Sequence, residues 1–349
     1  MQAAILCATP GAGGDGPMGR IGLVLGAGGV TGGAFHAGVL AALEEGTGWD
    51  PRRADIVLGT SAGSLTGAAL RANLSASDLA ARNDGSPLSA EGAALLRSAR
   101  LSTQLPPPAT RPARHGRFGP AAPEVLLAAA RRPWAVRPTA ILAGLVPQGA
   151  VPTTMIADGV AALLGDRWPD KPLWVTAVRL RDGSLVVFGR DDGPSSANDN
   201  GRQRVAGVRP AEAVAASCAI PGWFAPVVLD GERYVDGGVH SLTNLAELAN
   251  ASVDLAVVVA PLGGDGWHEF HGVTRRAARL QLSAEARRLR QKGIVVLALQ
   301  PTREDQRAMG INAMDPSRRA AVVRQARAST LARLRQSEIQ VALEMLRSS

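Results

Sequence analysis

Ten residues, Asp55-Ile56-Val57-Leu58-Gly59-Thr60-Ser61-Ala62-Gly63-Ser64, constrain the fold of this chain more than any others. An apolar run of four ends in a glycine, a serine follows among small residues, and the chain continues with helical character through Leu65, Ala68, Ala69 and Leu70. The pattern reads as strand, sharp turn and helix. Gly59-x-Ser61-x-Gly63 sets the serine at the apex of a turn too tight for side chains at the flanking positions, which exposes its hydroxyl at a helix N-terminus. The helix dipole there favours developing negative charge. Five such residues also arise by chance in small-residue turns, and their place after a strand is what gives them weight.

A second unit of the same kind precedes it. Ile21-Gly22-Leu23-Val24-Leu25 runs into Gly26-Ala27-Gly28-Gly29-Val30-Thr31-Gly32-Gly33, followed by the helical spacing of Val39, Leu40 and Leu43. Glycines in such a loop let backbone N–H groups point one way and form an anion site. Three readings fit the loop alone. A dinucleotide site would want Gly-x-Gly-x-x-Gly, with Thr31 here in the third glycine's place and Gly32 serving a variant form. An oxyanion hole would use the amides of Gly28, Gly29 and Val30. A plain tight turn is the third. The serine turn about thirty residues on favours the oxyanion hole, because two adjacent parallel strands would bring donors and nucleophile to the carboxyl edge of one sheet.

The remaining chain alternates in the manner of a layered α/β protein. Leu173 to Val178 and Leu185 to Phe188 read as strands joined by the turn Arg181-Asp182-Gly183, and a polar loop runs from Asp191 to Gln203. Pro210 to Ser217 reads as a helix with proline at its tolerated first position. It leads into Ala216-Ser217-Cys218-Ala219-Ile220-Pro221-Gly222 and on to Arg233-Tyr234-Val235, then Asp236-Gly237-Gly238. Alone, Asp236-Gly237-Gly238 reads most simply as a β-turn. Leu255 to Ala260 and Ile294 to Leu299 read as buried strands separated by an Arg-rich helix from about Val273 to Arg290, and Ser317 to Leu346 as one amphipathic helix packed on the sheet. From Leu74 to Gly149 the composition shifts to Ala, Pro and Arg, which predicts irregular chain with one short helix at Glu124 to Arg131. Two roles stand open for that insertion, a lid over an apolar site and a spacer.

With 46% hydrophobic but only 3% aromatic residues, the core must be built from Ala, Val, Leu and Ile. The formal charge is +8, and residues 267 to 349 carry 16 basic against 7 acidic side chains, so this segment holds the whole surplus. A solvated Arg-rich face is the preferred reading, ahead of a patch that meets an anionic membrane surface. No zinc-finger spacing or RNP-like aromatic run points to nucleic acid. Cys7 and Cys218 allow one disulfide and no metal constellation, and a reducing compartment fits. Residues 1 to 18, Gly-rich through Asp15, read as a disordered extension with Met18 a possible alternative start. They lack the basic start and apolar length of a secretion signal. No stretch reaches the length of a bilayer span. These features predict a cytoplasmic protein, with the peripheral membrane contact as the alternative.

Ser61 needs a base. Of the five histidines, His36 reads as a satisfied helix residue, His115 lies in the insertion, and His268 with His271 lack a third metal ligand. His240, four residues past Asp236, is the one that could complete a Ser–His–Asp triad, while a Ser–Asp dyad needs no histidine.

Taken in order, the glycine loop, the Gly59-Thr60-Ser61-Ala62-Gly63 turn, the Ala216 to Gly222 stretch and Asp236-Gly237-Gly238 resemble the patatin-like phospholipases, over roughly Ile21 to Pro301. The resemblance implies a three-layer α/β/α domain with a mostly parallel central sheet over residues 19–301, carrying the insertion at about 74–150, with a basic helical segment at 302–349 packed on it. It implies a serine acyl hydrolase for lipid esters that needs no cofactor or metal. Ser61 would be the nucleophile, Asp236 the base, Gly28 and Gly29 the oxyanion donors, and Gly59, Gly63, Gly237 and Gly238 the turn glycines. Members of that family commonly carry Arg or Lys where this chain has Thr31, which puts oxyanion stabilisation and headgroup preference in question. The alternatives are a nucleotide-binding protein using Gly26 to Gly33, and a non-catalytic lipid-binding relative.

Overall fold

The computed structural model describes residues 19–105, 149–190, 207–264 and 269–349, with 269–274 as backbone alone. Among these residues eight strands form one mixed, mostly parallel sheet: β1 (Ile21–Leu25), β2 (Ile56–Thr60), β3 (Leu173–Arg179), β4 (Leu185–Phe188), β5 (Val227–Leu229), β6 (Glu232–Asp236), β7 (Leu255–Val259) and β8 (Val295–Leu299). Pairing runs β5-β6-β3-β2-β1-β7-β8, and β4 pairs with β3. β2, β1, β7, β8 and β3 are mutually parallel, whereas β4, β5 and β6 join by antiparallel pairings. The helices are α1 (Gly29–Thr47), α2 (Ala62–Arg71), α3 (Ala76–Asp84), α4 (Ala90–Ser98), α5 (Thr154–Leu164), α6 (Pro210–Ser217), α7 (Glu269–Arg290), α8 (Arg303–Met309), α9 (Arg319–Leu334) and α10 (Gln340–Arg347).

Side-chain alternation along the strands separates two apolar layers. Leu23, Leu25, Val57, Val257, Val259 and Leu297 face one side, where α1, α2 and α9 lie. Val24, Leu58, Ala256, Val258 and Val296 face the other, against Leu282, Ala286 and Leu289 of α7. The central strands are buried on both faces, which explains their near-continuous Val, Ile and Leu runs.

The register around β3 positions the site. Gly59 and Thr60 of β2 pair with Val175 and Thr176, which also pair with Phe188 and Val187 of β4. Two residues on, Val178 pairs with Leu185 of β4 and with Val235 of β6. β4 therefore takes one edge of β3, and β2 and β6 share the other end to end. Thr60 sits opposite Thr176 and Asp236 opposite Ala177, so the C-terminal ends of β2 and β6 meet at consecutive positions of β3.

Three local expectations need correction. Residues 74–105, read as irregular, hold α3 and α4; Ser75 and Ser89 cap them by accepting from the Asp78 and Gly92 N–H groups, and the proline clusters begin only at Pro106. The helix expected at Glu124 to Arg131 and the polar loop Asp191 to Gln203 lie outside the described residues. The single C-terminal helix is two, because the chain turns at Ser337–Ile339 between α9 and α10. The turn lets Ile339, Ala342, Leu343 and Leu346 enter the core, a direction unavailable to a straight continuation of α9. The basic segment is likewise not simply a solvated face. Arg275 is buried and donates to the Pro261 and Gly263 carbonyls, and Arg333 donates to the Gln300 carbonyl, while Arg276, Arg287 and Arg324 are exposed. Among the described residues no helix is long and apolar enough to cross a membrane.

Leu343→Ala should cost about 2–5 kcal/mol of stability, as for other buried leucines, whereas Leu280→Ala, at a side chain 65% exposed, should stay within about 0.5 kcal/mol. Urea unfolding of the two variants measures the difference.

Candidate functional site

Ser61 joins β2 to α2 with φ 54° and ψ −122°, a conformation that side-chain-bearing residues seldom adopt. Such a backbone costs on the order of 1–3 kcal/mol and persists only where its surroundings fix it. The surroundings here are specific. The Ser61 N–H donates to Ser217 Oγ at 2.9 Å, and the Ser61 carbonyl accepts from the Ser64 N–H at 2.8 Å and from Ser64 Oγ at 2.6 Å. A Cβ at Gly59 would strike the Ser64 backbone, and one at Gly63 would strike the Leu25 carbonyl. The two flanking glycines thus let β1, β2 and α2 close on one another.

Asp236 ends β6, and its N–H donates to the Ala219 carbonyl at 3.0 Å. Its Oδ1 accepts from the Gly238 N–H at 2.7 Å. The side chain is buried, and burial pushes its pKa up from 3.8 to about 6, opposed by hydrogen bonding with the Ser61 side chain and the Gly238 N–H. Gly237 lies so close to β3 that a Cβ would meet Thr176 Oγ1 and its carbonyl. The serine side chain therefore lies close enough to the carboxylate to lower its pKa, at the junction of β2 and β6.

The glycine loop starts α1 beside them. Gly28 is the residue before the helix, Gly29 has φ 60°, and the loop is tied down by Gly26 N–H to the Val259 carbonyl and Ala27 N–H to the Leu242 carbonyl. The Thr31 N–H donates to the Ala313 carbonyl at 3.0 Å. No acceptor for the N–H groups of Gly28, Gly29 and Val30 occurs among the described residues, so these three amides are available at the N-terminus of a 19-residue helix. Thr31 itself is buried, and the Ala313 carbonyl that its N–H meets also occupies, with Met314 Sδ, the space next to Gly29. A longer basic side chain at this buried position would have to displace its neighbours.

Gly29, Val30 and Ser61 line one cavity of about 570 Å³, walled by Leu65, Leu79, Ile156, Val160, Ile220 and Phe224 among others. It is long on apolar surface and short on polar groups, the composition of a site for an alkyl chain. α3, within the stretch read from sequence as irregular, supplies part of its wall through Leu79, Arg82 and Asn83.

Neither of the two described histidine side chains, His36 and His240, lines the cavity. His36 is buried in α1 with Nδ1 3.3 Å from Thr66 Oγ1, and burial lowers its pKa to about 3, which keeps it neutral. His240 Nδ1 lies 2.9 Å from Asn244 Oδ1. His115 and His268 lie outside the described residues, as does the side chain of His271. Cys218 is a free, buried thiol 3.8 Å from Ser64 Oγ, while Cys7 lies outside the described residues. Among the described residues no cluster of His, Cys, Asp and Glu could hold a metal ion.

Several residues that matter here carry no legible sequence signal. Asn244, with φ 51°, donates from Nδ2 to Thr60 Oγ1 at 3.1 Å, Thr176 Oγ1 at 3.2 Å and the Ser241 carbonyl at 2.8 Å, and Thr60 Oγ1 lies 2.9 Å from Thr176 Oγ1. This buried network bolts β2, β3 and the turn after Asp236 together. Ser217 falls in a stretch notable for its order among other motifs, yet its bond to the Ser61 N–H depends on tertiary structure.

Comparison with known proteins gives a family match. The sequence profile described as patatin-like phospholipase matches residues 23–249. Solved structures that match include VipD from Legionella pneumophila, at 15% identity and a TM-score of 0.41, covering 91% of this chain and 67% of that one. No curated protein matches the chain. With the matched profile spanning most of the chain, from the glycine loop through Asp236, the chain belongs to the patatin-like phospholipase family, a family of lipid acyl hydrolases.

Proposed function

We propose that this chain hydrolyses carboxylic esters of lipids through a Ser61–Asp236 dyad. The observation that carries the reading is that the ends of β2 and β6 meet at adjacent positions of β3 and so bring the Ser61 side chain to the buried Asp236 carboxylate, beside an apolar cavity and three amides with no acceptor among the described residues. In the proposed cycle Asp236 takes the proton from Ser61 as Oγ attacks the ester carbonyl, and the N–H groups of Gly28, Gly29 and Val30 hold the oxyanion. The alcohol leaves with a proton returned from Asp236. Water, activated by the same carboxylate, then releases the fatty acid from the acyl-enzyme. Every step uses groups of the chain itself, so no metal or organic cofactor is required.

Burial suits Asp236 to this role. A carboxylate with a pKa near 6 is a stronger base than one near 3.8, yet it is still mostly ionised at neutral pH. The cytosol, or a cytosolic membrane surface met by exposed arginines such as Arg276, Arg287 and Arg324, is the proposed setting.

Two substitutions test the dyad. Ser61→Ala and Asp236→Asn should each lower kcat/KM for p-nitrophenyl esters on the order of 10³-fold or more; turnover at the parent rate in either variant rejects the mechanism. A dinucleotide that raises the melting temperature of a chain with no esterase activity would instead favour the nucleotide reading.

The pH dependence has a definite sign. Because the base works ionised, kcat/KM should fall as pH drops through about 6. The folded pKa lies above the unfolded one, so the folded chain binds the extra proton and stability declines as pH rises between about 3.8 and about 6. Asp236→Asn should therefore raise the melting temperature at pH 7 while removing activity. A variant less stable than the parent at pH 7, with no acid limb in the parent's rate profile, would contradict this.

A further inference from the structure

The glycine loop is touched by a stretch of chain far from it in sequence. The connection between α8 and α9 lies beyond the 23–249 region matched by the family profile, yet it reaches the start of α1 at two points. The Ala313 carbonyl accepts from the Thr31 N–H at 3.0 Å. A Cβ built at Gly29 would lie 2.9 Å from the same carbonyl oxygen and 3.1 Å from Met314 Sδ, and Met314 goes on to line the cavity that holds Ser61. A helix begins with N–H groups that have no intrahelical acceptor. In α1 the connection takes up that of Thr31, while those of Gly28, Gly29 and Val30 have no acceptor among the described residues. The connection is braced from within. Asn312 Oδ1 accepts from the Met314 N–H at 3.0 Å, and the Asn312 carbonyl from the Asp315 N–H at 3.1 Å. Asp315 Oδ1 accepts from the Ser317 N–H at 3.0 Å and Oδ2 from Arg318 Nε at 3.2 Å, and Arg318 Nη1 donates to the Ala308 carbonyl at 3.2 Å.

We propose that this connection is a positioning element for the glycine loop. By accepting from Thr31 and packing on Gly29 it aims the Gly29 and Val30 amides into the Ser61 cavity, and Asn312 and Asp315 are the side chains that hold it in shape. The proposal rests on the reading of those amides as oxyanion donors. A run rich in glycine has little stiffness of its own, and Gly29 sits at φ 60°, so the direction of its amides must be imposed by neighbours. Direction decides their worth. An oxyanion donor acts at full strength only when it already stands about 3 Å from where the charge will form, and a misplacement of about 1 Å costs on the order of 10²-fold in rate. Asn312 is exposed and outside the cavity lining, so its effect on the reaction must pass through the loop.

The test compares the full chain with Asn312→Ala, Asp315→Ala and Asn312→Asp, the last of which keeps the Oδ1 acceptor. The first readout is amide hydrogen exchange at Thr31, which needs no turnover. Both alanine variants should speed it about tenfold, as expected of a bond freed by local opening, and Asn312→Asp should restore protection. The second is a pair of kinetic measurements. For p-nitrophenyl decanoate both alanine variants should lower kcat about tenfold with KM held within about twofold, the mark of an interaction made in the transition state. Decyl trifluoromethyl ketone mimics that state: its carbonyl carbon bonds to Ser61 Oγ, the π pair moves onto oxygen as the oxyanion, and the serine proton passes to Asp236. Its affinity should fall by the same factor as kcat across the variants, and Asn312→Asp should recover both. Exchange at the parent rate in both alanine variants overturns the proposal. So does faster exchange with parental kcat and ketone affinity, which would leave the connection a helix cap alone. A parent chain with no turnover counts against the hydrolase reading, and the exchange rates then decide whether the connection holds the loop.

Discussion

Everything at the site depends on one edge of β3 receiving two strand ends. β2 runs parallel to β3 and stops at Thr60; β6 runs antiparallel to it and stops at Asp236, one β3 residue further along. Strands that approach head to head on a shared edge must each turn away from the sheet at the meeting point. Ser61 makes the first turn with a strained backbone, and Gly237 makes the second against the Thr176 backbone, where a side chain has no room. Two groups far apart in sequence become neighbours because backbone hydrogen bonds to a third strand measure out their positions. The Thr60, Thr176 and Asn244 network fills the junction and satisfies its buried polar atoms.

The electrostatics follow from that geometry. The junction lies inside the protein, so the Asp236 carboxylate loses most of its hydration and its pKa rises. Among the described residues, the Gly238 N–H bond to Oδ1 and the nearby Ser61 side chain oppose the rise. A carboxylate left partly unsatisfied is an effective proton acceptor, whereas one wrapped in salt bridges would be inert. Among the described residues no arginine acts on it as a cause of its shift, although the chain is rich in arginine. The basic residues are spent elsewhere, on carbonyls at loop and helix ends and at the rim of the apolar cavity.

The sequence made the parallel strand–turn–helix units legible because their signals are local. An apolar run closing on a glycine turn identifies β1 and β2, and the same short-range pattern identifies α6 and its leading Pro210. Ser61 and Asp236 could be singled out only by the order of several motifs, since the shared edge of β3 is a long-range pairing that no periodicity encodes. The helices α3 and α4 were hidden by the compositional drift toward Pro and Arg, although the Ser75 and Ser89 caps are local and were there to be read. The break between α9 and α10 was not legible, because amphipathic spacing continues across Arg335–Ile339 while burial of Ile339 and Leu343 turns the chain. Arg82 and Arg319 resemble any surface arginine until folding puts them on one cavity wall.

The most direct measurement is a crystal structure of the chain after reaction with an alkyl fluorophosphonate. Phosphorus should be bonded to Ser61 Oγ, with the phosphonyl oxygen facing the N–H groups of Gly28, Gly29 and Val30, the Asp236 carboxylate beside the adduct, and the alkyl chain in the apolar cavity. A label on another residue, or an adduct at Ser61 whose oxygen points away from the glycine loop, would contradict it.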